Sequence, residues 1–136
     1  MTTPVDARLF GSLEPLRLVG SECTSCATTT FPVQPDCPRC ARRTMADVEL
    51  PADGVLWTWT VQAFEPKAPY VAPADGFQPY PVGYVDLGRV MVEARLDADP
   101  ADLSVGATMK LVPFDVPTSQ DTLLGFAFAP DHEVAS

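Results

Sequence analysis

Cys23-Thr24-Ser25-Cys26, followed after ten residues by Cys37-Pro38-Arg39-Cys40, holds every cysteine of the 136-residue chain. A C-x-x-C turn aims two sulfurs at one point. Two such turns facing each other form a tetrahedral four-thiolate cage, the preferred surroundings of a structural Zn²⁺. Cys23, Cys26, Cys37 and Cys40 are therefore the expected metal ligands. With four sulfurs there is no open coordination position, so the metal is expected to be structural and not catalytic. Rubredoxin-type iron suits the same four thiolates. Two disulfides would suit a secreted chain, but the start Met1-Thr2-Thr3-Pro4-Val5-Asp6 has neither the basic nor the apolar part of a signal peptide. A thioredoxin-like redox site needs one such pair and not two.

The flanks of the cysteines read as short strands. Leu16–Glu22 leads into the first knuckle, and Thr28–Val33, rich in β-branched residues, returns from it. Upstream, Val5, Leu9 and Phe10 could share one face of a short helix over residues 4–13, which must dock on this chain or on a partner. Downstream, Arg39, Arg42 and Arg43 cluster beside the second knuckle. They read either as a solvated turn offsetting thiolate charge or as a small anion site for a phosphate or carboxylate.

Beyond a hinge at Leu50-Pro51-Ala52-Asp53-Gly54 the pattern becomes all-β. Val55–Val61 alternates, placing Val55, Trp57, Trp59 and Val61 on one face and Leu56, Thr58 and Thr60 on the other. Two tryptophans on one face suggest core, or a contact surface if that face is open. Residues 62–79 form a loop with prolines at 66, 69, 73 and 79 and the aromatics Phe64, Tyr70 and Phe77; Lys67 is its only base. A long, stiffened loop with aromatics is expected to bind something. Tyr80–Leu87 and Val90–Leu96 form a hairpin turning at Asp86–Arg89, with Val90, Val92, Ala94 and Leu96 facing one way and Met91, Glu93 and Arg95 the other. A connector near 97–103 precedes strands over 108–114 and 123–130. Pro113 marks the former as an edge or a bulge. Five strands with one connector fit a five-stranded OB-fold barrel, with an SH3-like barrel as the alternative. The expected fold is thus mainly β: an N-terminal helical segment (1–15), a rubredoxin-like zinc ribbon (16–46), the barrel (47–130) and a loose tail (131–136).

Charge narrows the partners. Residues 1–45 carry four acids and five arginines, a net of +1; residues 46–136 carry fourteen acids and four bases, a net of −10. Phosphate backbones are held by Lys and Arg, so nucleic acid is not an expected partner. No apolar run approaches the roughly 20 residues that span a bilayer, and a cytoplasmic location is expected.

These elements together resemble a known family. The four-cysteine ribbon with Phe31-Pro32 after the first knuckle, Gly54-Val55-Leu56-Trp57-Thr58-Trp59-Thr60-Val61, Tyr80-Pro81-Val82-Gly83-Tyr84-Val85-Asp86-Leu87 and Asp99-Pro100-Ala101-Asp102-Leu103-Ser104-Val105-Gly106 look like the zinc-ribbon/OB-fold proteins of acyl-CoA metabolism, long catalogued as a domain of unknown function. A glycine often follows the second cysteine of each knuckle in such proteins; here Ala27 and Ala41 stand there. The resemblance implies a non-catalytic partner of a thiolase-fold aldolase or thiolase, as in steroid side-chain degradation, with Zn²⁺ as structural cofactor. In that setting Phe64, Lys67, Tyr70, Phe77, Arg39, Arg42 and Arg43 are candidate contacts to the enzyme or to a CoA thioester. A stand-alone acyl-CoA carrier, a nucleic-acid-binding OB module that stacks bases on Trp57 and Trp59, and an enzyme in its own right are the competing readings. The one histidine, His132, lies in the tail, and no cysteine is left over as a nucleophile, which argues against the last of these.

Overall fold

A computed structural model describes residues 3–67, 71–72, 75–118 and 120–131. Two sheets account for the fold. The first holds β1 (Phe10–Leu13), β2 (Leu16–Cys23), β3 (Thr29–Thr30) and β4 (Met45–Glu49), with β2 at its centre. The second holds β5 (Asp53–Gln62), β6 (Tyr80–Asp86), β7 (Met91–Arg95), β8 (Thr108–Pro117) and β9 (Thr122–Pro130), in the order β7-β6-β5-β8-β9. All pairings within the second sheet are antiparallel. A parallel bridge between Leu96 and Phe128, backed by a 2.8 Å hydrogen bond from the Asp97 N–H to the Phe128 carbonyl, joins its outer strands. That closure makes the sheet a nearly complete five-stranded barrel of OB type.

The expected N-terminal helix is absent as such. Residues Ala7–Leu9 form one 3-10 turn capped by Asp6, and Phe10 already opens β1. Gly11 and Ser12 are weak helix formers, whereas the hairpin to β2 pairs Phe10 with Leu18 and Leu13 with Leu16. The segment before it docks on this chain: the Val5 N–H bonds to the Leu124 carbonyl at 2.8 Å, and the Leu124 N–H to the Thr3 carbonyl at 2.7 Å. β4, which no alternation in Met45–Glu49 announces, pairs with β2 from Val19↔Glu49 to Cys23↔Met45.

One core serves both sheets. Leu18 from β2 and Leu50 after β4 are buried in the same cluster as Leu56, Val85, Val92, Leu96, Met109 and Phe128 from the barrel. Around it, the Phe126 ring meets Phe10, Phe31 and Phe128 edge-on, with centroids 6.2, 5.9 and 6.4 Å away. Such edge-to-face contacts add directional preference to simple burial. An exposed ion pair, Arg89 to Glu22 at 2.6 Å, also links the barrel hairpin to β2, but a pair of this kind contributes little to stability.

The expected hairpin forms, with Gly88 at φ +102° in its turn and its N–H on the Asp86 carboxylate at 2.8 Å. Along β7, Val92, Ala94 and Leu96 are buried, as the alternation predicts. Pro113 sits where β8 has run beyond β5 and pairs with β9 alone, so its missing donor is at an edge.

β5 departs from the expected alternation. Leu56 pairs with Val85 and Thr58 with Tyr84, the adjacent partner, leaving Trp57 as an extra residue in a β-bulge. The bulge reverses the parity of the strand. Leu56 is fully buried and Trp59 packs on the core, while Trp57 is 58% exposed and Val55 45% exposed. The two tryptophans therefore do not share a buried face. Trp57→Ser is expected to change unfolding free energy by no more than about 0.5 kcal/mol, and Trp59→Ala to cost about 2 kcal/mol or more. Urea titration of the two variants checks both values.

Candidate metal centre and flanking surfaces

The two knuckles repeat one hydrogen-bond scheme. The Ser25 and Cys26 N–H groups point to the Cys23 sulfur, and those of Arg39 and Cys40 to the Cys37 sulfur, all at 3.4 Å. Each turn is closed by a 2.8 Å backbone bond, from Ala27 to Cys23 and from Ala41 to Cys37. Ala27 and Ala41 take left-handed φ values of +65° and +62°. The left-handed region costs an L-residue roughly 1–2 kcal/mol, and glycine enters it without that penalty. The alanines that replace the usual glycines thus keep the knuckle geometry at a local cost.

The four sulfurs all lie within 4.8 Å of one another. Cys23 and Cys40 sulfurs are 3.7 Å apart, and those of Cys26 and Cys37 are 3.6 Å apart. A tetrahedron with Zn–S of about 2.3 Å has edges of about 3.8 Å, so the sulfurs are spaced to hold one zinc. They are too far apart to be disulfides, whose sulfurs lie about 2.05 Å apart, and all four cysteines are free. Threonine hydroxyls reach two of the sulfurs at 3.1 Å, Thr44 to Cys23 and Thr28 to Cys26. The hydrogen bond from Thr44, followed by the backbone N–H groups, draws the Cys23 thiol down to about 6. Cys37 is lowered too, chiefly by the Cys40 backbone N–H. At Cys40 the Arg42 backbone also acts downward, but burial and the neighbouring sulfurs outweigh it and hold the thiol at about 11. Four thiolates cannot crowd together without a cation; a divalent ion supplies the missing charge, and the knuckle N–H groups and hydroxyls share the remainder.

The three arginines do not converge. Arg43 is paired with Asp36 at 2.9 Å, Arg42 donates to the Ser25 hydroxyl at 3.1 Å, and Arg39 is exposed. This arrangement favours the solvated turn over an assembled anion site. In the 62–79 loop, Phe64 is 81% exposed and Lys67 is exposed, while Phe77 is half-buried and meets the Tyr80 ring edge-on at 6.1 Å. Tyr70 and His132 lie outside the described residues.

One cluster escaped the sequence. The Arg95 guanidinium lies 3.8 Å above the Tyr80 ring centre and 4.5 Å from that of Phe114. The alternation of β7 places Arg95 on its outward face, but Phe114 comes from β8, and nothing local in the sequence announces the meeting. Among the described residues, no helix is long and apolar enough to cross a membrane.

A four-thiolate ribbon sharing its core with an OB-type barrel defines the class: a two-part, zinc-ribbon and OB-fold protein. The chain belongs to the ChsH2 family. Residues 12–46 match its rubredoxin-like zinc ribbon domain, and residues 47–114 its C-terminal OB-fold domain. A DUF35 domain-containing scaffold protein of Methanocaldococcus jannaschii is 29% identical over 103 residues, which span 70% of this chain and 66%, under two thirds, of that protein. Among solved structures, a chain of an Ltp2-ChsH2(DUF35) aldolase superposes with a TM-score of 0.67 at 25% identity, covering 91% of this chain and 92% of that one. A DUF35-family protein of unknown function from Sulfolobus solfataricus, with a TM-score of 0.55 at 19% identity over 82% of this chain and 79% of its own, shares the fold.

Proposed function

We propose that this chain is the non-catalytic small subunit of a thiolase-fold aldolase or thiolase that acts on acyl-CoA thioesters. In this role it supports the assembly and forms part of the thioester-binding region, while the reacting groups belong to the large subunit. The observation that carries this reading is the likeness to a chain of the Ltp2-ChsH2(DUF35) aldolase along nearly the whole length of both. The scaffold designation of the archaeal relative points the same way.

Within the reading, zinc fixes the ribbon, and the contacts of Phe10 and Phe31 with Phe126 join the N-terminal sheet to the barrel. Phe64, exposed at the root of the 62–79 loop, is the first candidate anchor for the enzyme, since aromatic side chains on stiff loops bind at low entropy cost. Lys67 and Arg39, both exposed, are the candidate contacts for thioester phosphates.

The test is purification of the tagged chain from its native cell with metal measured on the same sample. A thiolase-fold protein recovered with one zinc per small chain is the expected result. Recovery of the zinc protein with bound CoA thioester but without that enzyme would turn the reading into that of a carrier. Shortening the 62–79 loop is expected to leave the melting temperature in place and weaken recovery of the enzyme about tenfold or more, the effect of losing one interface hot spot. Unchanged recovery would remove the loop from the interface.

A further inference from the structure

Beside the Leu96–Phe128 bridge a groove of about 640 Å³ lies between residues of the β6–β7 hairpin and the far end of the β8–β9 hairpin. Val5, Val82, Val116, Leu123 and Phe126 give it apolar walls, and Tyr80, Arg95 and Phe114 stand along it. Its volume falls in the range of small-molecule sites, which are commonly apolar with a few fixed polar groups.

Arg95 is the unusual lining residue. The Tyr80 and Phe114 rings pack against its guanidinium, with ring centres 3.8 and 4.5 Å from the central carbon, and its N–H edge supplies the hydrogen-bond donors. Among the described residues, none accepts a hydrogen bond from that edge and none forms an ion pair with it. Glu93, two residues along the same strand, lines the groove without pairing with Arg95. A planar cation packed against aromatic rings, with free N–H donors, is suited to a carboxylate taken in two parallel hydrogen bonds. The surroundings also limit the charge of the ligand. Residues 46–136 contain four bases, of which Arg95 is the one that lines this groove, and fourteen acids. A polyphosphate or a nucleic acid would meet one cation and one carboxylate in the groove, on a half-chain of net charge −10.

We propose that the groove is a binding site for an amphipathic monocarboxylate, its apolar body against Val82, Val116 and Phe126 and its carboxylate on the Arg95 edge. The described lining residues all belong to this chain, and the proposal does not rest on an enzyme partner.

The test uses the zinc-loaded full chain and two probes of equal chain length, decanoate and decanol, titrated below micelle formation by calorimetry. Decanoate is expected to bind about tenfold or more tightly than decanol, the worth of one charge-assisted hydrogen-bond pair. R95M is expected to remove the difference while keeping the melting temperature, and E93Q to tighten decanoate alone by lifting a repulsion. Amide NMR shifts are expected at Val82, Ala94 and Phe126. Equal affinity for the two probes, no binding of either, a preference that survives R95M, or shifts confined to other surfaces would overturn the proposal. Should R95M fail to fold, E93Q decides: tightening of decanoate alone supports the site, and no change overturns it.

Discussion

Replacing Cys37 with serine will abolish zinc binding and unfold the ribbon. Metal content measured by mass spectrometry is expected to fall from one zinc per chain to near zero. Hydrogen exchange is expected to lose protection over residues 16–43. The Cys37 sulfur lies 3.6 Å from that of Cys26 and receives the Arg39 and Cys40 N–H groups; a serine oxygen is a harder, shorter and more basic ligand that does not replace it. Zinc binding to small ribbons and fingers is worth about 10–16 kcal/mol near neutral pH, and this is folding free energy. Whole domains are stable by about 5–15 kcal/mol, so the expected loss is as large as the fold can bear. It should also pass into the barrel, because Leu18 and Leu50 lie in the shared core and Phe10 and Phe31 rest on Phe126. A variant that keeps one zinc and the parent melting temperature would exclude the four-sulfur cage.

The second large effect belongs to Phe128→Ala. Phe128 is fully buried, pairs with Leu96 where the barrel closes, and meets the Phe126 ring edge-on. Truncating a buried phenylalanine to alanine costs about 3–5 kcal/mol, from lost transfer free energy together with the cavity left behind. Its backbone carbonyl still accepts from Asp97, so the variant is expected to retain its zinc and strand pairing while its urea midpoint falls steeply. A loss below about 1 kcal/mol would mean that the seam near Phe128 can collapse and refill.

The parts of this fold that were legible in the sequence are those set by short-range spacing. Two C-x-x-C turns orient their own sulfurs, so Cys23, Cys26, Cys37 and Cys40 could be assigned before any fold was known. Strand alternation over Val90–Leu96 and the turn at Asp86–Arg89 were equally local. The misreadings share a different cause. Val5, Leu9 and Phe10 fit a helical face, but Val5 bonds to Leu124 and Phe10 pairs with Leu18, both tertiary partners, and only Ala7–Leu9 keep a helical turn, of 3-10 type. At Trp57 one extra residue in a bulge reverses the strand's parity, and the need for a bulge arises from how a curved barrel closes. The Arg95 groove takes walls from Val5 to Phe126, so it exists only after closure. The knuckle alanines lay in plain view as departures from glycine, yet their left-handed backbone became evident only in three dimensions.

The clasp between Thr3, Val5 and Leu124 also bears on how the chain is made. During synthesis residues 3–5 emerge well before their strand partner, which is coded some 120 residues later. Closing a loop of that length carries an entropic cost before any contact repays it. The ribbon, whose ligands span only residues 23–40, can capture its metal and fold while the barrel is still being translated. Residues 3–5 must then wait for β9, so a segment that emerges before the ribbon finds its place after it.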